Sequence, residues 1–560
     1  MASDEQPAEP NLPWFRRPED SHPFSLARKI TGSGGPTEST DAFYTTSTFP
    51  WTMTSLHTLW NGQFIDDPQS REMWQATVDE WSGTIAVGGT GRVFIFPKLA
   101  SMKPTMIKLL NQDRKVHADW KVKCLAWALK KPDDDELTDI RKPREPILVA
   151  AASSVTFIIN LKTLKVMGRN RGHGGEITSI ITHPYHPHII CTTSKDHTTR
   201  IWDLSLPARQ KPRNPPWPPN KHHSLAGPAF GMHMTEPEGV GCGQCIAVLV
   251  GGRSGGHNAA VFAAAFHLTE PLIATCGMDR AVKIWRIPYS DDSSLAREDK
   301  PLFSTDMIHK ARVLSIAWLS QDTLVTHSAP AWMREDPADR ERLYQAPGTI
   351  AVWRWLGFDR YFPPNKIPPR NMRGCASVST VPHFIHSEFF KVISCHSLPM
   401  SVTALRVFHA HYHDPIVLVP LADTVHIRNI SQFKPREIPP YPLDNEAAPT
   451  TKGKDTKRKN QKRKKRSRPA DSGDGDDRDG SGENFVWIPP EGLPAHNEPQ
   501  PSPPQALLEC VPGWKLVTNP NSNSNRGLID IQSCEVACEG NVIIGIGTSR
   551  NLLIWRCRQS

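Results

Sequence analysis

Residues 191–204 read CTTSKDHTTRIWDL, and residues 274–287 read ATCGMDRAVKIWRI. A Gly-His pair precedes each stretch, at Gly172-His173 and Gly256-His257. Both contain a Thr, then an Asp four positions on, then a Trp six positions after the Asp. In the first the residues are His173, Thr192, Asp196 and Trp202; in the second, His257, Thr275, Asp279 and Trp285. That spacing is the mark of a WD repeat, one four-stranded blade of a β-propeller. Asp belongs in a tight turn between two strands, Trp late on the following strand, Thr on the strand before and His in the loop entering the blade. Folded, the four side chains can join in one line of hydrogen bonds from Trp to Thr to His to Asp. A buried His and Asp tolerate desolvation only when paired in this way.

Working outward, the two tryptophans stand 83 residues apart, too far for one blade. Residues 206–243 are rich in Pro and His and contain NPPWPPN; removing those 38 residues leaves 45, one blade length. Further β patterns flank the pair: TIAVGGTGRVFIF (84–96), VKCLAWAL (122–129), ILVAAASSVTFIIN (147–160), VLSIAWLSQDTLVTHS (313–328) and NVIIGIGTSRNLLIWRC (541–557). In the repeat ending at Trp353 the Asp position holds Pro347, so an incomplete hydrogen-bond set is expected there.

The expected fold is all-β, a seven-bladed WD40 β-propeller with a disordered N-terminal arm and long loop insertions. The propeller is expected over 56–433 and 524–560. Its blades fall at about 70–110, 120–168, 173–250 (with the insertion 206–243), 256–290, 309–356, 400–432 and 524–558. Residues 1–55 are polar and read as an arm, with PNLPWFRRP as a short linear motif inside it. Residues 434–523 read as a disordered insertion carrying basic, acidic and proline-rich stretches.

The 560 residues exceed the ~300 that such a ring requires. The 52 prolines fit long connecting segments. The net charge of +9 is concentrated in residues 451–469, which hold eleven Lys/Arg and one Asp, so the rest of the chain sums to about −1. Within that run Lys457, Arg458, Lys459, Lys462, Arg463, Lys464, Lys465 and Arg466 read as a nuclear localisation signal. Contact with nucleic acid or nucleosome phosphates is compatible with it. No stretch approaches the ~20 apolar residues of a membrane helix, so no membrane partner is expected.

Catalysis has little to rest on. GGRSGGH (251–257) places Ser254 near His257, but His257 is claimed by its blade, and no phosphate-loop motif is present. No catalytic residue, metal or cofactor is expected. Cys242 and Cys245 form one CxxC without the second ligand pair that zinc needs. Eleven cysteines at irregular spacing read as reduced thiols.

Beyond the four structural positions, HGGEITSIITHPYHPHIICTTSKDHTTRIWDL and ATCGMDRAVKIWRI resemble consecutive blades of the EED/extra sex combs family, the WD-repeat subunits of Polycomb repressive complex two. The resemblance extends to VLSIAWLSQDTLVTHS and the final IWRC. It implies a noncatalytic scaffold in the nucleus that supports histone H3 lysine-27 methylation and transcriptional repression. The partner implied is a SET-domain methyltransferase, whose N-terminal segment wraps the propeller. It further implies that the central opening of one face takes a methylated histone H3 tail in an aromatic cage. Of the cage positions, Trp74 keeps an aromatic. Another falls near Val122, beside Trp120, and an aromatic pair is replaced by Thr403 and Ala404. Lys195, Met278 and Arg406 match neighbours of that pocket, so Trp74, Lys195, Met278 and Arg406 mark the expected peptide-binding face. Trp217, Trp332 and Trp355 are alternatives. The other reading of the whole chain is a general WD40 scaffold or substrate receptor outside such a complex.

Overall fold

The computed structural model describes residues 13–17, 22–31, 42–59, 68–99, 103–109, 120–130, 144–211, 237–250, 255–288, 295–334, 343–364, 376–378, 389–410, 412–436, 504–518, 529–548 and 550–558. These belong to one body drawn from Met1–Arg436 and Pro504–Ser560. The basic run, including Lys457 to Arg466, lies outside the described residues, as do Trp217 and Ser254.

The chain is an all-β propeller whose blade sheets are each built on four antiparallel strands, with short parallel additions at Ala296–Glu298 and Ala376–Val378. The repeat of Trp202 runs Ile177–Thr182, Ile189–Ser194, Thr199–Pro207 and Gly239–Leu249, paired in that order. The repeat of Trp285 runs Val261–Phe266, Leu272–Gly277, Val282–Arg286 and Phe303–Thr305. Preceding them is the sheet Val122–Leu129, Pro146–Ala152, Val155–Asn160 and Lys165–Asn170. After them come Val313–Trp318, Thr323–Ser328, Thr349–Trp355 and Phe390–Ser397, then Arg406–Ala410, His413–Leu421, Thr424–Asn429 and Gly513–Val517. Second strands such as Leu272–Gly277 and Pro146–Ala152 are buried at every residue. They lie between two neighbouring sheets and therefore read as continuous apolar runs rather than alternating ones.

The ring closes through the N-terminus. Ile531–Ala537, Val542–Gly547 and Asn551–Cys557 supply three strands of the closing sheet, and Phe24–Thr31 supplies the fourth. The register runs from Phe24 opposite Cys557 to Thr31 opposite Asn551. The closing sheet then packs on the first sheet, Thr45–Thr48, Ile85–Gly88, Arg92–Phe96 and Thr105–Lys108. Ile85, Val87 and Phe96 share one core with Ile544, Ile546, Leu552 and Ile554. A sheet edge otherwise open to solvent is thereby paired from both ends of the chain.

The structure departs from several of these expectations. The arm 1–55 is not uniformly disordered: Phe24–Thr31 and Thr45–Thr48 are strands of the ring. The motif around Trp14 and Phe15 is a buried short turn of helix, not a free linear motif. The first blade does not begin at about 70, because Pro68–Trp81 is an α-helix between its first and second strands. Its buried Trp74, Val78 and Trp81 recur at i, i+4 and i+7, a helical spacing. The outer strand after Trp202 starts at Gly239, inside the segment read as the loop 206–243. Its first residues also pair with Gly168–Asn170 of the preceding sheet. The segment 434–523 contains the short helix Leu507–Cys510 and the blade strand Gly513–Val517.

Candidate functional site

Two kinds of expected residue are separated by the fold. The first kind holds blades together. Trp202 donates Nε1–H to Thr192 Oγ1 at 2.9 Å, Thr192 Oγ1 lies 2.7 Å from His173 Nε2, and His173 Nδ1 lies 2.9 Å from Asp196 Oδ2. The next repeat repeats it: Trp285 to Thr275 at 2.8 Å, Thr275 to His257 at 2.8 Å, and His257 to Asp279 at 2.9 Å. Burial pulls the His173 and His257 pKa values below the ordinary range, against the opposing pull of Asp196 and Asp279. A neutral imidazole fits every bond: the Thr hydroxyl donates to Nε2, and Nδ1–H donates to the carboxylate. Asp196 stays ionised despite burial, because His173, the Thr198 hydroxyl, and the Thr198 and Gly174 amides all donate to it. The imidazole of His257 is thus engaged on both nitrogens by its own blade.

The repeat of Trp353 keeps the same line with a different last member. Trp353 donates to Thr326 Oγ1 at 3.1 Å, Thr326 Oγ1 meets His309 Nε2 at 2.7 Å, and His309 Nδ1 meets Thr349 Oγ1 at 2.8 Å. The set expected to be incomplete at Pro347 is therefore completed by Thr349.

The second kind of residue concerns ligands. The first strands of five sheets slip register near their starts, between Val122 and Cys124, Ile177 and Ser179, Val261 and Ala263, Val313 and Ser315, and Ile531 and Ser533. Each slip leaves one residue without a cross-strand partner: Lys123, Thr178, Phe262, Leu314 and Gln532. Such bulges re-aim side chains, and the first four line one cavity of about 330 Å³ with Glu176, Lys195, Ser315, His327, Thr403 and Ala404. Strands from four successive sheets and the segment 403–405 leading into a fifth converge there, so it forms a mouth of the central channel.

The charges at this mouth are arranged around one carboxylate. Lys123 Nζ lies 2.6 Å from Glu176 Oε1, and Lys195 Nζ lies 2.6 Å from Glu176 Oε2. Burial works to raise the Glu176 pKa, but hydrogen bonds from the two ammoniums outweigh it and hold the carboxyl below its usual range. His327 is 1% exposed, and neither ring nitrogen has a hydrogen-bond partner among the described residues. Burial pushes its pKa down to about 3, so the ring is neutral.

Of the residues expected on a peptide-binding face, Lys195 alone belongs to this lining. Trp74 is 1% exposed in a core with Phe49, Trp81 and Trp127, so its indole offers no open face for a cage. Met278 is half-exposed in a turn outside the cavity. Arg406 donates to Glu535 Oε1 at 2.7 Å, linking two sheets, and borders a larger channel of about 1780 Å³. Trp120 is half-buried against Phe157. Thr403 and Ala404, standing where aromatics were expected, are exposed at the mouth. Trp355 is buried, whereas Trp332 is two-thirds exposed on the hairpin Ala331–Arg334 and Leu343–Ala346. The bulge positions and His327 were missed in the sequence, since a register slip is a property of pairing. Cys245 of the CxxC is buried, and burial pushes its thiol up to about 12.

The family description "WD domain, G-beta repeat" matches residues 162–203 and 243–286. Among curated relatives, Polycomb group protein FIE1 of Zea mays is 33% identical over 142 residues, 25% of this chain and 23% of that protein. Polycomb protein EED of Chaetomium thermophilum is 24% identical over 279 residues, 49% of this chain and 38% of that protein. The chain thus spans about a quarter of the length of the first relative and under two fifths of the second. A chain from the solved structure of a humanized mutant of the Chaetomium thermophilum Polycomb Repressive Complex 2, bound to the inhibitor GSK126, shares the fold. Its TM-score is 0.53 at 15% identity, covering 95% of this chain and 97% of that one.

Proposed function

We propose that this chain, a divergent relative of the EED/extra sex combs WD-repeat proteins, is a noncatalytic scaffold subunit of a Polycomb-type histone methyltransferase complex. On this reading it binds a SET-domain methyltransferase in the nucleus, supports methylation of histone H3 at lysine 27 and represses transcription. The observation that carries it is the similarity to Polycomb FIE1 and EED, joined to a propeller that runs through the whole described body.

We infer that the ring has seven blades. The sheets beginning at Thr45, Val122, Ile177, Val261, Val313, Arg406 and Ile531 support that count, the last being completed by Phe24–Thr31. A scaffold role also suits the chemistry. The histidines of the repeats are locked in neutral hydrogen-bond lines, which leaves them unsuited to proton transfer. Lys457 to Arg466 suit nuclear import, with contact to nucleosome phosphates as a second use. Trimethyl-lysine reading has less support, because a cage requires several aromatic faces around one cation. Among the described residues lining the mouth, Phe262 supplies the one phenyl face.

Affinity purification of the full chain from nuclei, with mass spectrometry of what it retains, tests the scaffold reading. Recovery of a SET-domain methyltransferase, together with increased H3 lysine-27 methylation when the chain is added to that enzyme, is the expected result. Retention of no methyltransferase overturns it.

A further inference from the structure

We propose that the channel mouth formed by Lys123, Lys195 and His327 is a binding site for a carboxylate-bearing side chain of a partner peptide. This site is independent of the scaffold role.

Three observations converge. The first is construction. Register slips at the same place in successive first strands aim Lys123, Thr178, Phe262 and Leu314 into one cavity of about 330 Å³. That volume lies at the small end of ligand pockets and suits a side chain with its flanking backbone. The second is charge. Two ammoniums share the single carboxylate of Glu176, so these three side chains together carry one net positive charge. Both lysines are about half-exposed, leaving ammonium protons accessible from the channel. The third is the unpartnered imidazole. A buried polar ring with neither nitrogen bonded is costly unless a ligand or water satisfies it. Neutral His327 offers one N–H donor, which a carboxylate oxygen accepts, while the lysines balance the charge.

The same features oppose a quaternary ammonium. A cation entering the mouth meets two ammoniums and one phenyl face, where attraction would need a surrounding set of rings. Apolar Phe262, Leu314 and Leu405 border the charged group, favouring a peptide with apolar neighbours over a free ion.

The test uses the full chain and fluorescence anisotropy with three labelled hexapeptides identical except at the centre, which is Glu, Gln or trimethyl-lysine. The Glu peptide is expected to bind about tenfold tighter than the Gln peptide, with trimethyl-lysine no tighter than Gln. Lys123→Gln combined with Lys195→Gln removes that preference. Glu176→Gln, by freeing both ammoniums, tightens the Glu peptide, a direction that damage to the fold would not produce. Tighter binding of trimethyl-lysine than Glu, weaker Glu binding in Glu176→Gln, or no Glu binding up to about 1 mM overturns the proposal.

Discussion

His309 Nδ1 lies 2.8 Å from Thr349 Oγ1, so a neutral hydroxyl fills the place that a carboxylate fills beside His173 and His257. The substitution is chemically consistent. A neutral imidazole needs only an acceptor at Nδ1, and the threonine hydroxyl, itself 3.0 Å from Ser328 Oγ, provides one. The carboxylate of the other repeats adds charge assistance and a cap for the loop amides of Gly174 and Asn258.

That difference can be measured. Thr192→Val leaves Trp202 Nε1–H and His173 Nε2 without partners in a buried site, a loss of about 2–3 kcal/mol in urea unfolding. Thr326→Val produces a similar loss through Trp353 and His309. Thr349→Ser keeps the acceptor and costs about 1 kcal/mol or less, whereas Thr349→Val costs the larger amount. Equal stability for the Ser and Val variants would show that the bond to His309 contributes nothing.

Acid sensitivity follows from the buried histidines. Burial pushes His183, His309 and His327 each down to about 3, below the usual value of 6.5. Below pH 6.5 the unfolded chain binds protons at these positions while the folded chain does not. Their contribution to stability is therefore fully present above about 6.5 and is lost as pH falls toward 3. Each contributes a slope of up to about 1.4 kcal/mol per pH unit in that window. Urea midpoints at successive pH values between 7 and 5 should fall, and His327→Gln should flatten the slope. A midpoint independent of pH over that range contradicts the assignment.

Trp74 separates a core residue from a ligand-binding one. Its indole is packed with Phe49, Trp81 and Trp127, so Trp74→Ala is expected to lower stability by about 3–5 kcal/mol. Trp74→Phe should recover much of that. Differential scanning calorimetry reads both, and an unchanged melting temperature for Trp74→Ala would mean that the ring is not in the core.

The residues that were legible in the sequence are those fixed by local spacing. Thr192, Asp196 and Trp202 lie on two adjacent strands and the turn between them, so their separation in sequence determines their separation in space. Thr349 was not legible because its hydroxyl stands four positions before Trp353, and only the path of the turn brings it to His309. Phe24–Thr31 was hidden for another reason. It is an outer strand with one face toward solvent, so charged residues interrupt its apolar pattern, and its partner Asn551–Cys557 is more than 500 positions away. The mouth was partly readable: Lys195 stood out beside Asp196, whereas Lys123 and Phe262 owe their direction to register slips that no composition reveals.

The N-terminal closure joins two distant parts of the chain in one sheet. Trp14 packs edge-on against Phe24 and Trp514, with ring centroids at 4.8 and 5.5 Å, and joins the core between two sheets. Arg16 holds Asp414 through two bonds of 3.0 and 2.6 Å, and Asn429 Nδ2 bridges the Phe15 carbonyl and Asp414 at 3.0 Å each. A chain lacking its first 31 residues loses this clasp and the strand Phe24–Thr31 together. Asn551–Cys557 would then present an open, apolar edge, which templates pairing with other chains. Such a chain should aggregate at concentrations where the full chain does not, as read by light scattering. Adding residues 13–31 as a separate peptide should suppress the aggregation, because the missing strand can pair in trans. Trp14→Ala in the intact chain isolates the clasp from the strand: it should lower stability by about 3–5 kcal/mol while the chain stays soluble. A truncated chain that remains soluble with unchanged stability would show that the ring closes without its N-terminal strand.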